Sequence, residues 1–243
     1  MSADNTIQQN LHKWEGHHWA EDGDEWKGQA LCCGTTYERW KQSLVDHLLL
    51  PYVVEAKVLE IGPGHGRWSS AILTACARLS LVDLSPACID FCRRRFEAHP
   101  NVDYFVTDGK HLPANLTRSI DFVWSYDAFV HMSAPVIAAY LGEIERVLVA
   151  GGRAIIHHAG RRHGTLWLGW LCRLGDAGRR VYRHISMGGD EGPDGWRSNV
   201  SAQLVAELAG AAGLVVEKQL SEWEPGIGVP RFRDVISVLR RKA

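Results

Sequence analysis

The sequence predicts an α/β protein built on a doubly wound, mostly parallel sheet. Three observations predict it. A short apolar run, Val58 to Ile61, leads into three alternate glycines and then a helical pattern. Strand-like and helix-like segments alternate from there to His158, the order that builds a parallel sheet. Near the end, a helical segment precedes two strands whose short connection demands an antiparallel pair.

Val58 to Ile61 reads as a strand buried on both faces. Gly62, Gly64 and Gly66 let the backbone turn sharply and pass close to a ligand. Arg67 to Arg78 then reads as a helix, with Ala71, Ile72, Ala75 and Leu79 at helical spacing. Strand, glycine turn and helix N-terminus together make a nucleotide-type site. A dinucleotide fingerprint places its third glycine where Arg67 stands, so that fingerprint fails. The pattern is instead acidic-x-G-x-G-x-G, with Glu60 at the strand end. A carboxylate there suits a ligand carrying an amino group and a positive charge, and would repel a pyrophosphate. A merely structural glycine turn is the competing explanation.

Composition narrows the class. A chain of 243 residues can bury one large core. The net charge of −1 gives no support to a nucleic-acid partner held by bulk electrostatics. The six cysteines form no C-x-x-C pair and fit buried free thiols in a reducing compartment. Met1 to Asn10 is polar, unlike a signal peptide, and no apolar run approaches the ~20 residues of a membrane span. These features predict a cytoplasmic protein.

In chain order, residues 11 to 46 hold Trp14, Trp19, Trp26 and Trp40, three histidines and the acidic cluster Asp22, Asp24 and Glu25. No helical or strand period dominates until Thr36, where a helix opens and runs to about Leu50, ended by Pro51. The tryptophans suit a partly wet surface. They form either a cap on one sheet edge or a lid whose aromatic faces stack on sugar rings. Leu79 to Leu84 is the second strand, with Asp83 near its end, positioned to accept both ribose hydroxyls. Ser85-Pro86 starts a helix to Ala98, and Val102 to Thr107 is the third strand. Asp108 follows, where a carboxylate can accept an adenine amino group; Asp108-Gly109 is equally an ordinary turn signal.

Ile120 to Ser125 is the fourth strand. Chemistry collects beyond the strand C-termini in such sheets, which brings in Asp127 and His131. Ser133-Ala134-Pro135 starts a helix with Val136, Ile137, Tyr140, Leu141, Ile144 and Val147 at helical spacing, stopped by Gly151-Gly152. Arg153 to His158 is the fifth strand. Residues 159 to 199 form a basic, aromatic insertion around Thr165 to Leu171. It can pack on the sheet, on an amphipathic substrate or on a second subunit as a homodimer, with a membrane-surface contact the less supported alternative. Ser201 caps a helix to Ala212, ended by Gly213. Leu214 to Glu222 and Asp234 to Leu239 make the terminal hairpin.

The Glu60–Gly66 motif with Asp83 and Asp108 resembles the class I S-adenosylmethionine-dependent methyltransferases. That resemblance implies a Rossmann-like, doubly wound, seven-stranded sheet with an antiparallel C-terminal strand. It also implies an S-adenosyl-L-methionine site drawing on Trp40, Glu60, Gly62, Pro63, Gly64, Gly66, Asp83, Leu84, Asp108, Gly109 and Ser125. The chain then reads as one domain over 1–243. Its parts are a tryptophan-rich lid (1–54), a cofactor-binding half (55–158), the insertion (159–199), and a helix with terminal hairpin (200–243).

Three shorter blocks are similar to bacterial carbohydrate O-methyltransferases, some of which require magnesium: Gly64 to Trp68, Ile120 to Asp127, and His157-His158. The Asp22 to Trp26 block is familiar from that group too. One departure stands out. The macrolide-sugar members place an Asp and a His three apart after strand four, whereas Asp127 and His131 are four apart.

That subgroup implies a sugar or oligosaccharide acceptor and a role in polysaccharide biosynthesis. A hydroxyl must lose its proton as the new bond forms, and histidine is the common general base. His131, His157 and His158 stand at the mouths of two adjacent strands. His158 is favoured, because His157 should point the other way, into the packed layer. Asp127 can orient such a histidine, or, with His158, help bind Mg2+. Two other readings compete: methylation of a phenol, amine or other small metabolite, and a non-catalytic methyltransferase-like binding subunit.

Overall fold

A computed structural model describes residues 3–20, 23–24, 28–160, 170–171, 173–178, 181, 197–198, 200–229 and 234–242. Its helices are α1 (Ala3–Glu15), α2 (Gly28–Cys32), α3 (Tyr37–Leu44), α4 (Leu50–Val53), α5 (Ser69–Ile72), α6 (Pro86–Arg95), α7 (Ala134–Val147) and α8 (Ala202–Ala211). Its strands are β1 (Lys57–Ile61), β2 (Arg78–Asp83), β3 (Val102–Val106), β4 (Ile120–Ser125), β5 (Leu148–Ala159), β6 (Leu214–Leu220), β7 (Glu222–Glu224), β8 (Ile227–Gly228) and β9 (Asp234–Arg241). Most of the insertion expected over 159–199 lies outside the described residues, as do Asp22, Glu25 and Trp26.

Seven strands form one sheet in the order β3-β2-β1-β4-β5-β9-β6. β1 pairs in parallel with β2 and β4, and β5 in parallel with β4. β9 slots antiparallel between β5 and β6, the expected antiparallel C-terminal strand. The order reverses at β1, so the crevice beyond the ends of β1 and β4 is the topological switch point. The link from β6 to β9 folds a second, two-stranded sheet, β7-β8.

The central strands are buried on both faces because apolar layers cover both. Leu59, Val123 and Ile156 face the layer that holds α7 and α8, where Ile137, Leu141, Ile144 and Val147 keep the predicted helical spacing. On the other face, Trp40, Trp68, Phe122 and Trp124 pack with the residues of α3 and α4. Ser85 and Ser201 cap α6 and α8, each hydroxyl accepting a backbone N–H three residues on.

Four elements differ from expectation. The polar start forms α1, whose Ile7, Asn10 and Trp14 share one face; the central Asn hides the stripe from an apolar count. The helix expected to end at Pro51 instead widens to a π turn over Val45–Leu49 and continues as α4. Pro51 falls in the first turn of α4, where a missing N–H costs least. Helix α5 is only four residues long, since turns take up most of the expected 67–78 helix. Gly151 and Gly152 lie inside β5, which starts straight after α7 and pairs irregularly with β4.

Burial fixes one stability outcome. Leu59 is fully buried in the central strand, whereas Val54 is 65% exposed. Leu59→Ala should cost about 2–5 kcal/mol in urea unfolding, from lost transfer energy and an unfilled cavity. Val54→Ala should stay within about 0.5 kcal/mol of the parent.

Candidate active site

A cavity of about 280 Å³ opens at the C-terminal ends of the central strands. One end is bordered by Gly62, Pro63, Gly64, Asp83, Leu84 and Gly109; the other by Arg67, Tyr126, Asp127, His131 and Arg197. Ile7, Asn10 and Trp14 of α1 border it as well, with Trp19 beyond them. The Asn10 amide donates to the His131 carbonyl at 2.9 Å, tying α1 to the mouth of β4.

The glycine turn is forced by close approach. Gly62 and Gly64 have φ of +73° and +56°, where a side chain is strained. A Cβ on Gly62 would lie 2.6 Å from the Cβ of Ala128, and one on Gly64 would lie 2.7 Å from the Trp19 ring. Asp83 accepts from the Gly64 amide at 3.3 Å and from the Ser85 amide at 2.9 Å. Burial pushes its carboxyl up to about 6. Glu60 lies beneath the turn, buried, and accepts from the Ser69 hydroxyl at 2.5 Å. Burial raises it to about 7, against the pull of that hydrogen bond. Two carboxyl groups reluctant to ionise beside a tight backbone turn would be charged by a cation, which fits the amino and sulfonium groups of S-adenosylmethionine.

Other expected members of that site stand elsewhere. Trp40 is fully buried in the core and donates its indole N–H to the Gly228 carbonyl at 2.9 Å, so it braces α3 against β8 and does not line the cavity. Asp108 turns to solvent and caps its own loop, accepting from the Lys110 and His111 amides at 2.9 Å; its neighbour Gly109 borders the cavity instead. Ser125 is buried and donates to the Ile61 carbonyl at 2.7 Å, locking β4 to β1. Gly66 faces Phe96, behind the turn.

At the far end, five charged side chains form a chain. Arg67 Nη2 pairs with Asp127 Oδ2 at 2.6 Å, and Asp127 Oδ1 lies 3.0 Å from His157 Nδ1. His157 Nε2 faces Asp234 Oδ2 at 3.6 Å, and Asp234 Oδ1 meets Arg197 Nη1 at 2.5 Å. The Gln29 amide donates to Asp127 Oδ1 at 3.0 Å and accepts from the Tyr126 hydroxyl at 2.5 Å. Burial would raise Asp127, but Arg67 and His157 outweigh it and hold the carboxyl far below the usual range. Burial would lower His157, but its two carboxylate neighbours raise it. Gln29, Arg67, Arg197 and Asp234 were not candidates from sequence. They come from four separate segments, and only the fold brings them together.

The preference for His158 over His157 is reversed by this geometry. His157, stacked on Tyr126 with ring centroids 4.2 Å apart, is the histidine that reaches Asp127. His158 is fully buried, with its ring nitrogens 2.8 Å from the Ala159 carbonyl and 2.7 Å from the Ser237 hydroxyl, and burial pushes it down to about 4. His131 alone of the three borders the cavity. Asp127 and His158 do not fit a magnesium site. The Asp127 oxygens are already held by Arg67, Gln29 and His157, and the His158 ring is turned to β9. Among the described residues, no group of three or more His, Cys, Asp or Glu is placed to hold a metal ion.

Glu60 sets a pH dependence. Its folded-state value of about 7 lies above the ordinary 4.5, so between those values the folded protein keeps a proton that the unfolded chain has released. This contribution to stability is complete below pH 4.5 and is lost as pH rises through 7. Stability of Glu60→Gln, followed by thermal unfolding from acid to mildly alkaline pH, should lack this fall, a difference on the order of 3 kcal/mol. Parallel pH profiles for parent and variant would contradict it.

Comparison with known proteins agrees with this reading. Residues 58–152 match the family described as "Methyltransferase domain". The ubiquinone/menaquinone biosynthesis C-methyltransferase UbiE of Bartonella henselae is 32% identical over 144 residues, 56% of this chain and 53% of that protein. The biotin biosynthesis bifunctional protein BioHC of Cellvibrio japonicus is 30% identical over 152 residues, 60% of this chain and 28% of that protein. The chain thus spans about half or less of these curated relatives. Among solved structures, the geranyl diphosphate C-methyltransferase of Streptomyces coelicolor has a TM-score of 0.64, covering 97% of this chain and 98% of that one, at 15% identity. That likeness is one of fold. Residues 58–152 match a methyltransferase domain, and the seven-stranded sheet with its antiparallel C-terminal strand has the fold of the class I S-adenosylmethionine-dependent methyltransferases.

Proposed function

We propose that this chain transfers the methyl group of S-adenosylmethionine to a hydroxyl of a small metabolite. The observation that carries it is a single cavity that joins the glycine turn and Asp83 to His131 and Asp127. When bound, S-adenosylmethionine supplies an electrophilic methyl group, so the chain's own task is mainly alignment and proton removal. Asp83, beside the Gly64 amide, is placed to accept ribose hydroxyls, while Glu60 is buried below the turn and does not itself border the cavity. His131 is the general base in this reading, since it borders the cavity. Asp127 is a poor base, because Arg67 stabilises its ionised form too strongly. The relatives named for ubiquinone and biotin biosynthesis support a small acceptor. A sugar hydroxyl is the second reading, favoured by the Trp14 and Trp19 indoles that border the cavity. The N-terminal segment acts as a lid in both.

Calorimetry with S-adenosylhomocysteine tests the cofactor half. Asp83→Ala should bind it at least about tenfold more weakly than the parent, a loss of roughly 1.4 kcal/mol. Equal affinity would sink the ribose assignment. For the acceptor half, His131→Ala should lower turnover by ~10²–10⁴-fold at nearly unchanged cofactor affinity. Labelled methyl donor and a panel of phenolic, carboxylic and sugar acceptors would measure it. Normal turnover by that variant would remove the histidine base.

A further inference from the structure

We propose that the end of the cavity away from the glycine turn is an anion subsite, where Arg67 and Arg197 receive a carboxylate or phosphate group carried by the methyl acceptor. The proposal rests on the methyl-transfer reading above and names the class of its acceptor. Both arginines border the cavity and both are well buried, with side chains 6% and 14% exposed.

Each guanidinium reaches its own carboxylate through one terminal nitrogen, Nη2 of Arg67 on Asp127 and Nη1 of Arg197 on Asp234. Arg67 Nη1 is buried and makes no hydrogen bond of good geometry, while the Tyr37 and Tyr126 hydroxyls lie within electrostatic range of the guanidinium. A buried charged donor left unsatisfied is costly, so its retention points to a ligand acceptor. The arginine is also held in place. Its guanidinium lies 4.6 Å from the Trp68 ring centroid and 5.6 Å from that of Tyr126. Such fixing lowers the ordering cost of binding.

Charge points the same way. Two arginines face two aspartates, and His157 sits between those aspartates in contact range of both. His157, flanked by both carboxylates, is raised above its ordinary value, which adds to the positive character of the two arginine–aspartate pairs. An anion would complement that character in a site with little solvent. Of the nearby carboxyl groups, Glu60 is fully buried under the glycine turn within electrostatic range of Arg67, and Asp83 is held by the Gly64 and Ser85 amides. Trp14, Trp19 and Tyr126 border the same space, so the fitting ligand is a compact anion with an apolar or aromatic body.

The test uses benzoate, phenyl phosphate and neutral benzamide, titrated calorimetrically into the full chain at fixed ionic strength. At least one anion should bind about tenfold or more tightly than benzamide. The tighter of the two identifies the group as carboxylate or phosphate. Arg197→Gln should erase that preference and Arg197→Lys should restore part of it; Arg67→Lys, which keeps the charge opposite Asp127, should weaken anion binding too. Benzamide binding as well as both anions would overturn the proposal, and so would an undiminished anion preference in Arg197→Gln. S-adenosylhomocysteine titrated into the same samples separates the two ideas. Its failure to bind, beside a clear anion preference, removes methyl transfer and leaves the subsite standing.

Discussion

The Asp127 carboxylate is the junction on which the candidate site depends. Arg67 comes to it from the turn after β1, Gln29 from α2 and His157 from β5. Through His157, Asp234 and Arg197 the same chain of charges reaches β9 and the residues preceding α8. One carboxylate therefore ties together the C-terminal edges of β1, β4 and β5. The backbone is bent to present it: Asp127 has φ of +65°, a left-handed conformation that Asp tolerates better than most residues. Removing this charge would leave Arg67 buried without its partner, and breaking a buried pair in that way costs about 3–5 kcal/mol. Stability and site geometry are thus the same interaction seen twice.

The fold was largely legible because the strands are buried on both faces and bounded by turns. Ile120–Ser125 was readable to the residue, and Asp83 fell at a strand end as its spacing required. The antiparallel pairing of β9 with β6 follows from connection length alone. What escaped lacks a local signal. Helix α1 buries a stripe that includes Asn10, so no apolar period marks it. Pro51 reads as a stop, and only tertiary context shows that a π turn precedes it.

The site was half legible, for a geometric reason. Alternation along β5 says that His157 and His158 face opposite ways, yet it does not say which way the cavity lies. That depends on the neighbours: Tyr126 stacks on His157, while Ser237 of β9 receives His158. Arg67 was noticed only as the residue that spoils a dinucleotide fingerprint. Its importance comes from Asp127, sixty residues further on. Trp40 shows the opposite error. An aromatic near a cofactor motif suggests stacking, but this indole is spent on a backbone carbonyl in the core.

On the proposed reading, the groups around the cavity would sort donor and acceptor by charge. Glu60 and Asp83 are raised by burial, so each gains if a cation arrives beside the glycine turn. Arg67 and Arg197, each paired with an aspartate, would meet an anionic acceptor beside Tyr126 on the proposal above. A positively charged methyl donor and a negatively charged acceptor would therefore be sorted to opposite ends before any close contact forms. Their reacting atoms would meet between those ends, where His131 borders the space. Methyl transfer removes the donor's sulfonium charge, and with it part of the attraction to Glu60 and Asp83. Helix α1, held to His131 by Asn10, and the Trp19 ring over Gly64 border the same space.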